Sequence, residues 1–366
     1  MSFIKSIRQQ PWYIKLTHWE YWSFNTIYYP IVWYWLWLGI KARSIFFFNA
    51  SNPSIAFGGF LMESKWDIAQ ILPPAYTPQT NIAYKNESPE TLLSKAAAFA
   101  YPIICKPDMG SRGRGVAVIH NNEELLAYQQ QCPLDFLLQE KINYPMEAGI
   151  FYVRMPGEEK GFLTGIVEKE FLAVTGNGHA TVKQLLHQNE RFILQLHQLE
   201  VILGDKINDV LPNGEKRILV PFGNHARGCK FIDSSHRINE RLTESMDAVF
   251  RLVPDFYFGR LDIRFESWEA LERGENFSII ELNGAGSEPT HMYSEGWTVF
   301  DAWKEILRHW DWLYKVSAAN HKKGMAYLDF KTGKKMYADN KEVDRLMADF
   351  TFAAPERTLA KEPVSQ

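Results

Sequence analysis

Short apolar runs alternate along the chain with amphipathic stretches, and the order predicts strands interspersed with helices. Strands are expected at 101–106, 116–119, 136–142, 149–155, 161–168, 217–222, 257–266 and 277–283. Helices are expected at 63–72, where Pro73 and Pro74 close the run, at 91–99, around 123–125, and at 180–200, 239–252 and 298–315. A glycine-rich turn at 109–115 separates the first two strands. Residues 318–366 are more polar, and the last dozen are expected to be disordered. Such a mixture argues for an α+β or α/β protein and against a sandwich.

One stretch does not fit either periodicity. Residues 27–40 read IYYPIVWYWLWLGI. A membrane-crossing helix needs about 20 apolar residues, and this run is shorter, holds Pro30, and is followed by Lys41 and Arg43. Neither the basic region nor the small-residue cleavage site of a signal peptide is clear. Two readings stand: an aromatic layer packed on the rest of the protein or on a second subunit, or a contact with a membrane surface or lipid substrate.

The 366 residues carry 40 Lys and Arg against 43 Asp and Glu, a net charge of −3, so no electrostatic case exists for nucleic acid as a partner. Three cysteines, Cys105, Cys132 and Cys229, without close spacing argue against a disulfide framework and a cysteine zinc site. The expected location is the cytoplasm, with the inner face of the membrane as the alternative implied by the aromatic run.

Three constellations carry chemistry. KPDMGSRGRG (106–115) lies between two expected strands. Its glycines let backbone N–H groups approach a ligand, and Lys106, Arg112 and Arg114 add positive charge suited to a polyphosphate. It is neither a Walker loop nor a dinucleotide fingerprint, and the plain alternative is a basic surface hairpin. In GRLDIRF (259–265), strand alternation puts Arg260, Asp262 and Arg264 on one face. In IIELNG (279–284), Glu281 and Asn283 share a face beside Gly284. Asp262, Glu281 and Asn283 are hard oxygen donors of the kind Mg²⁺ prefers beside phosphate, and Arg260 is placed to stabilise a transferring phosphoryl group.

This order, a lysine and glycine-rich loop, then a hinge strand, then Arg-x-Asp, then Glu-x-Asn, resembles that of the ATP-grasp enzymes across residues 90–310. The resemblance implies an α+β ATP-grasp fold: two lobes holding ATP between them, here behind an aromatic-rich N-terminal region. It assigns the nucleotide to Lys106, Gly110, Ser111, Arg112, Gly113 and Gly115. It adds the hinge residues Glu140, Lys141 and Ile142 for adenine, Glu147 for ribose and Lys169 for phosphate. Asp262, Glu281 and Asn283 become the Mg²⁺ ligands. Lys106, Arg260 and Arg227 become the catalytic cations. The implied divisions are 1–90 for an N-terminal region, 91–142 for the lobe with the loop, 143–317 for the lobe with the metal site, and 318–366 for an extension.

VTGNGHATV (174–182) resembles a segment of cyanophycin synthetases and related amino-acid ligases, with Asn177 replacing the usual Asp. GNHARG (223–228) resembles a loop beside the active site of those enzymes and of ribosomal-protein glutamate ligases, where Arg227 would meet an acyl phosphate or a substrate carboxylate. For both, the plain alternative is a turn. Gly58, Gly59 and Glu63 keep the Gly-Gly-x-x-x-Glu spacing of D-alanine–D-alanine ligases, and a helix-capping turn explains the same residues. Asn224, His225, Glu288 and His291 are candidates for an acceptor pocket, with His291 as a base or as an ordinary core histidine. The function expected is an ATP-dependent carboxylate–amine ligase that works through an acyl phosphate on small acid and amine substrates. The alternatives are a phosphotransferase of the same fold, or a non-catalytic, membrane-associated nucleotide-binding protein.

Overall fold

Period-two alternation builds two large antiparallel sheets and a separate two-stranded one in the computed structural model, which describes residues 10–110, 113–220, 223 and 228–353. The smaller sheet holds β1 (Thr80–Ala83), β2 (Ile103–Pro107), β3 (Ala117–Ile119) and β4 (Phe136–Glu140) in the order β1-β4-β2-β3. Helices Pro89–Ala96 and Asn122–Gln131 cover one face, laying Leu92, Leu125 and Tyr128 on Ile103, Cys105 and Phe136. Ser88 and Asn121 cap them by accepting from backbone N–H groups three residues on.

Residues 141–145 then lead directly into β5 (Met146–Val153), the central strand of the second sheet. β6 (Phe162–Glu170) follows, then the pair β7 (Leu172–Thr175) and β8 (Lys216–Val220), then β9 (Lys230–Asp233), β10 (Phe258–Phe265) and β11 (Phe277–Asn283). The larger sheet runs β11-β10-β5-β6-β9. Helix Glu240–Arg251 packs Leu242, Met246 and Phe250 on Ile150, Leu261 and Ile263. On the other side, helix Val299–Lys322 packs Leu313 and Val316 against Phe151, Val153 and Phe258.

The α+β architecture in two lobes is the one expected, but its divisions differ. β1 belongs to the small sheet, so that lobe starts near residue 80 and not at 91. Upstream of it, residues 10–60 pack largely on the large lobe: Phe47 and Phe48 are fully buried in the core shared with helix Val299–Lys322. That helix runs beyond 315 because apolar positions Leu313 and Val316 keep its face buried through its final turns. The expected helix 180–200 is three short helices, Val182–Leu186, Glu190–Ile193 and Leu196–Leu203, restarted at Asn189, whose side chain accepts from the Arg191 N–H.

The C-terminal extension is no loose appendage up to residue 353. Helix Phe330–Met347 seats Met336 beside Phe46, and Phe350 and Phe352 return to the small lobe to pack near Tyr128. The dozen residues expected to be disordered lie outside the described residues.

The aromatic run 27–40 forms mainly helix Val32–Ala42. Its inner side, Tyr34, Trp35 and Leu38, packs against Phe47, Trp310 and Leu313. Among the described residues no helix is long and apolar enough to cross a membrane.

Candidate active site

The polar face expected on β10 is real, and the neighbouring strands extend it. Arg260 donates two hydrogen bonds to Asp262, from Nε to Oδ1 at 2.9 Å and from NH2 to Oδ2 at 3.1 Å. Lys169, entering from β6, reaches Asp262 Oδ2 at 3.3 Å and Glu147 Oε1 at 3.1 Å. Glu147 Oε2 takes the Nε of Arg264 at 3.2 Å, and Arg264 NH1 donates to the Ile142 carbonyl in the hinge. Cations and anions thus alternate across three strands. They meet because β5 places Glu147 and Gly149 opposite Arg264 and Asp262. Gly149 leaves the space that the pair occupies: a Cβ there would lie 2.8 Å from Asp262 Oδ1.

Burial alone would neutralise these groups, but the pairing outweighs it. Burial opposes ionisation of Asp262, yet Arg260 and Lys169 hold its carboxyl below the usual range. Burial pulls the Lys169 ammonium down, and Asp262 and Glu147 more than reverse that.

On β11, Glu281 stands in register with Asp262, and Asn283 with Arg260. Glu281 accepts no hydrogen bond among the described residues, and the buried Asn283 Nδ2 has no partner. Asp262, Glu281 and Asn283 bring side-chain oxygens to one face, which fits a hard cation held together with phosphate, and the unpartnered Asn283 Nδ2 adds an N–H donor there. Asp262 enters that set already carrying two cations. No group of three His, Cys, Asp or Glu side chains forms a metal cluster by itself among the described residues.

Glu63 joins this end of the site. Gly58 and Gly59 adopt positive φ, and their carbonyls accept from the N–H groups of Ala285 and Gly286. A Cβ on Gly59 would lie 2.7 Å from the Gly284 Cα, so the glycine pair is needed for close backbone packing. The contact carries Glu63 to the end of β11, where burial and then the charge of Glu281 push its carboxyl up to about 8. Its Oε2 is buried without a partner.

Lys106 crosses from the small lobe. Its Nζ donates to the Ile280 carbonyl on β11 at 3.2 Å. Burial pulls it down to about 8, with Glu281 opposing. The cleft it spans is lined by Leu137, Gln139, Thr80, Ile279 and Leu282 and holds a cavity of about 30 Å³. That volume suits a water or two, so a nucleotide needs the lobes to part.

The glycine loop joins β2 to β3. Gly110, Gly113 and Gly115 all have positive φ. Lys65 donates to the Gly110 carbonyl at 2.7 Å, and Asp108 Oδ1 accepts from Ser64 Oγ and the Trp66 N–H, capping helix Lys65–Ile71. This tie between loop and N-terminal segment was missed in the sequence. Its signal was Ser64, an N-cap residue directly before the helix. Ser111, Arg112, Asn224, His225 and Arg227 lie outside the described residues.

Several expected residues are engaged differently. Both carboxylate oxygens of Glu147 are committed to Lys169 and Arg264, so in this closed form they are not offered to a ribose. Glu140 and Lys141 sit at the exposed exit of β4, Lys141 on its neighbour Asn143. Asn177 accepts from the N–H groups of His179 and Ala180, a local turn leading to the Thr181 cap. His291 is 3 % exposed with Nε2 3.0 Å from Glu305 Oε1, which makes it a buried anchor and not a free base. Glu288 does border the site: Arg260 NH1 donates to its carbonyl at 3.0 Å, and its carboxylate accepts from Tyr28 Oη at 2.6 Å. A second cavity, of about 310 Å³, opens between His18, Glu20, Arg191 and Trp297 and shares no lining residue with the Lys106 cleft.

No protein-family model matches the chain, and no curated protein matches it. It is similar to solved structures at low identity. A bifunctional glutathione synthetase from Pasteurella multocida is 14 % identical over 67 % of this chain and 36 % of that one, with a TM-score of 0.36. A D-alanine–D-alanine ligase from Bacillus anthracis is 12 % identical over 71 % and 69 %, with a TM-score of 0.39. The VanG D-Ala:D-Ser ligase from Enterococcus faecalis is 13 % identical over 69 % and 61 %, with a TM-score of 0.40. The chain spans about a third of the length of the first of these. At such scores the function has to be read from this chain's own geometry.

Proposed function

We propose that the chain is an ATP-grasp carboxylate–amine ligase. The observation that carries this reading is the meeting of Lys106, from the small lobe, with β11 beside Glu281, next to the Arg260–Asp262–Lys169 group on the large sheet. Two lobes hinged at 141–145 and lined by buried cations suit a polyphosphate held between them.

ATP would enter as the lobes part, with the adenine toward the hinge and the phosphates toward Lys106 and Lys169. Mg²⁺ would be held by Asp262, Glu281 and Asn283, and when bound it offsets phosphate charge and aligns the γ-phosphoryl group. A substrate carboxylate oxygen attacks the γ-phosphorus and ADP leaves, giving an acyl phosphate. Arg260, fixed by Asp262 and by the Glu288 carbonyl, faces the charge that develops. An amine then attacks the acyl carbon, loses a proton and expels phosphate, leaving an amide. The unpartnered Glu63 oxygen is available to a substrate ammonium at that end. No cysteine enters this scheme; Cys105, Cys132 and Cys229 are all buried.

The acyl phosphate is tested with ATP, Mg²⁺, a pool of carboxylic acids and hydroxylamine. The reading predicts hydroxamate formation that depends on one of the acids. A phosphorylated product that resists hydroxylamine would instead identify a phosphotransferase.

A further inference from the structure

Helix Val32–Ala42 is apolar on both sides, and only one side is covered. Its outer face presents Val32, Trp33, Leu36, Trp37 and Ile40 at helical spacing, with Trp33 61 % and Ile40 70 % exposed. Exposed apolar residues continue at both ends, with Phe24 and Tyr29 before the helix and Ile45 after it. Phe330 adjoins Ile45 through the buried Phe46, whose ring lies 6.1 Å from that of Phe330. A helix apolar all round belongs in a core or in contact with lipid, and a contiguous exposed apolar surface marks an interaction site.

Charge and residue type select the occupant. Residues 21–62 contain no Asp or Glu, whereas Lys41 and Arg43 close the helix and the exposed Lys331 and Lys334 follow Phe330. The Asp329 carboxylate nearby is turned into its own helix, accepting from the Thr332 N–H and Oγ1. Tryptophans among aliphatic residues, bordered by cations, suit the headgroup region of an anionic bilayer. The helix is too short to cross one.

We propose that this face docks on the surface of a membrane containing anionic phospholipid. The same N-terminal segment carries Tyr28, which holds Glu288 beside Arg260, so the docking segment is tied directly to the Glu288 side of the site. A substrate anchored in that membrane is then the natural acceptor or donor, a consequence that rests on the ligase reading; the docking does not.

The test is flotation of the full chain with vesicles of mixed phosphatidylglycerol and phosphatidylcholine, and with phosphatidylcholine alone. The proposal expects binding to the mixed vesicles, weaker binding without phosphatidylglycerol, and a loss of at least about tenfold in Trp33→Ser/Trp37→Ser/Ile40→Ser. These side chains are exposed, so the variant should melt with the wild type; a second variant, Lys331→Glu/Lys334→Glu, should lose binding only to the anionic vesicles. Absence of flotation overturns the proposal. So does a wild type of twice the monomer mass that the serine variant converts to monomer, since a second copy then covers the face. Mg²⁺·ATP binding by the serine variant, measured separately, reports on the ligase reading without touching the docking.

Discussion

Asp262 and Lys169 meet at 3.3 Å in the interior, each 6 % exposed at the side chain, and Asp262 also holds Arg260 through both of its oxygens. Removing the carboxylate takes the ion-pair partner from the buried Arg260 and leaves Lys169 with Glu147 alone. Asp262→Ala is therefore expected to lose roughly 3–5 kcal/mol of stability by denaturant unfolding. Glu281, its register partner on β11, accepts no such bonds and crowds Glu63. Glu281→Gln should change stability by less than about 0.5 kcal/mol or increase it. Two acidic neighbours assigned to one cation thus separate by fold stability, and Glu281 is the cleaner probe of function.

Lys106 is held down to about 8 by burial, against an ordinary value of 10.5. Its folded value lies below its unfolded one, so the penalty on the fold is full below pH 8 and disappears as pH rises toward 10.5. Nucleotide binding has the opposite sign, because the ammonium that meets phosphate is lost above that pH. ATP affinity should weaken between about pH 7 and 9.5 in the wild type and stay level in Lys106→Arg. Lys106→Met should keep or raise the melting temperature and lose most nucleotide affinity.

Helix Val299–Lys322 sets up a second pH dependence. His309 accepts from Thr164 Oγ1 through Nε2 at 2.9 Å and donates from Nδ1 to the Glu305 carbonyl, the arrangement of a neutral ring. Burial lowers it to about 4, despite Glu305. For Glu305, burial is outweighed by His291, His309 and Arg308, which take it down to about 2. Both folded values lie below the unfolded ones, so both contributions are present at neutral pH and fade on acidification. The His309 part fades from pH 6.5 to about 4 and the Glu305 part from pH 4.5 to about 2. Melting temperature should fall across the first window, and His309→Asn should flatten that slope while lowering stability at pH 7.

Phe350 lies under the glycine loop: a Cβ on Gly115 would sit 2.6 Å from its ring, and Tyr128 Oη donates to the Gly115 carbonyl. Phe350→Ala should lower small-lobe stability by roughly 1–3 kcal/mol. Hydrogen exchange would show this as faster opening of β2 and β3 with the large sheet unaffected.

Where alternation was strong, the sequence anticipated the structure. β10 and β11 run within a residue of their expected bounds, and Arg260, Asp262 and Arg264 share the face that period two assigns them. What could not be read locally was who would answer those charges. Glu147 and Lys169 lie on other strands, and their pairing with Arg264 and Asp262 depends on sheet order, which one chain's pattern does not contain. The same limit left open the surroundings of Glu63, carried to β11 by backbone contact of Gly58 and Gly59, and of His291, whose partner Glu305 is on a later helix. The aromatic run gave two readings because both faces of its helix are apolar; only packing tells the inner one from the outer.

The most direct test of the ligase account is phosphate release from ATP and Mg²⁺ against pools of acids and amines, with Glu281→Gln as the folded control. The account predicts release that requires both an acid and an amine, yields an amide, and falls by at least about a hundredfold in the control. Release that needs no amine, or that is unchanged in Glu281→Gln, would contradict it.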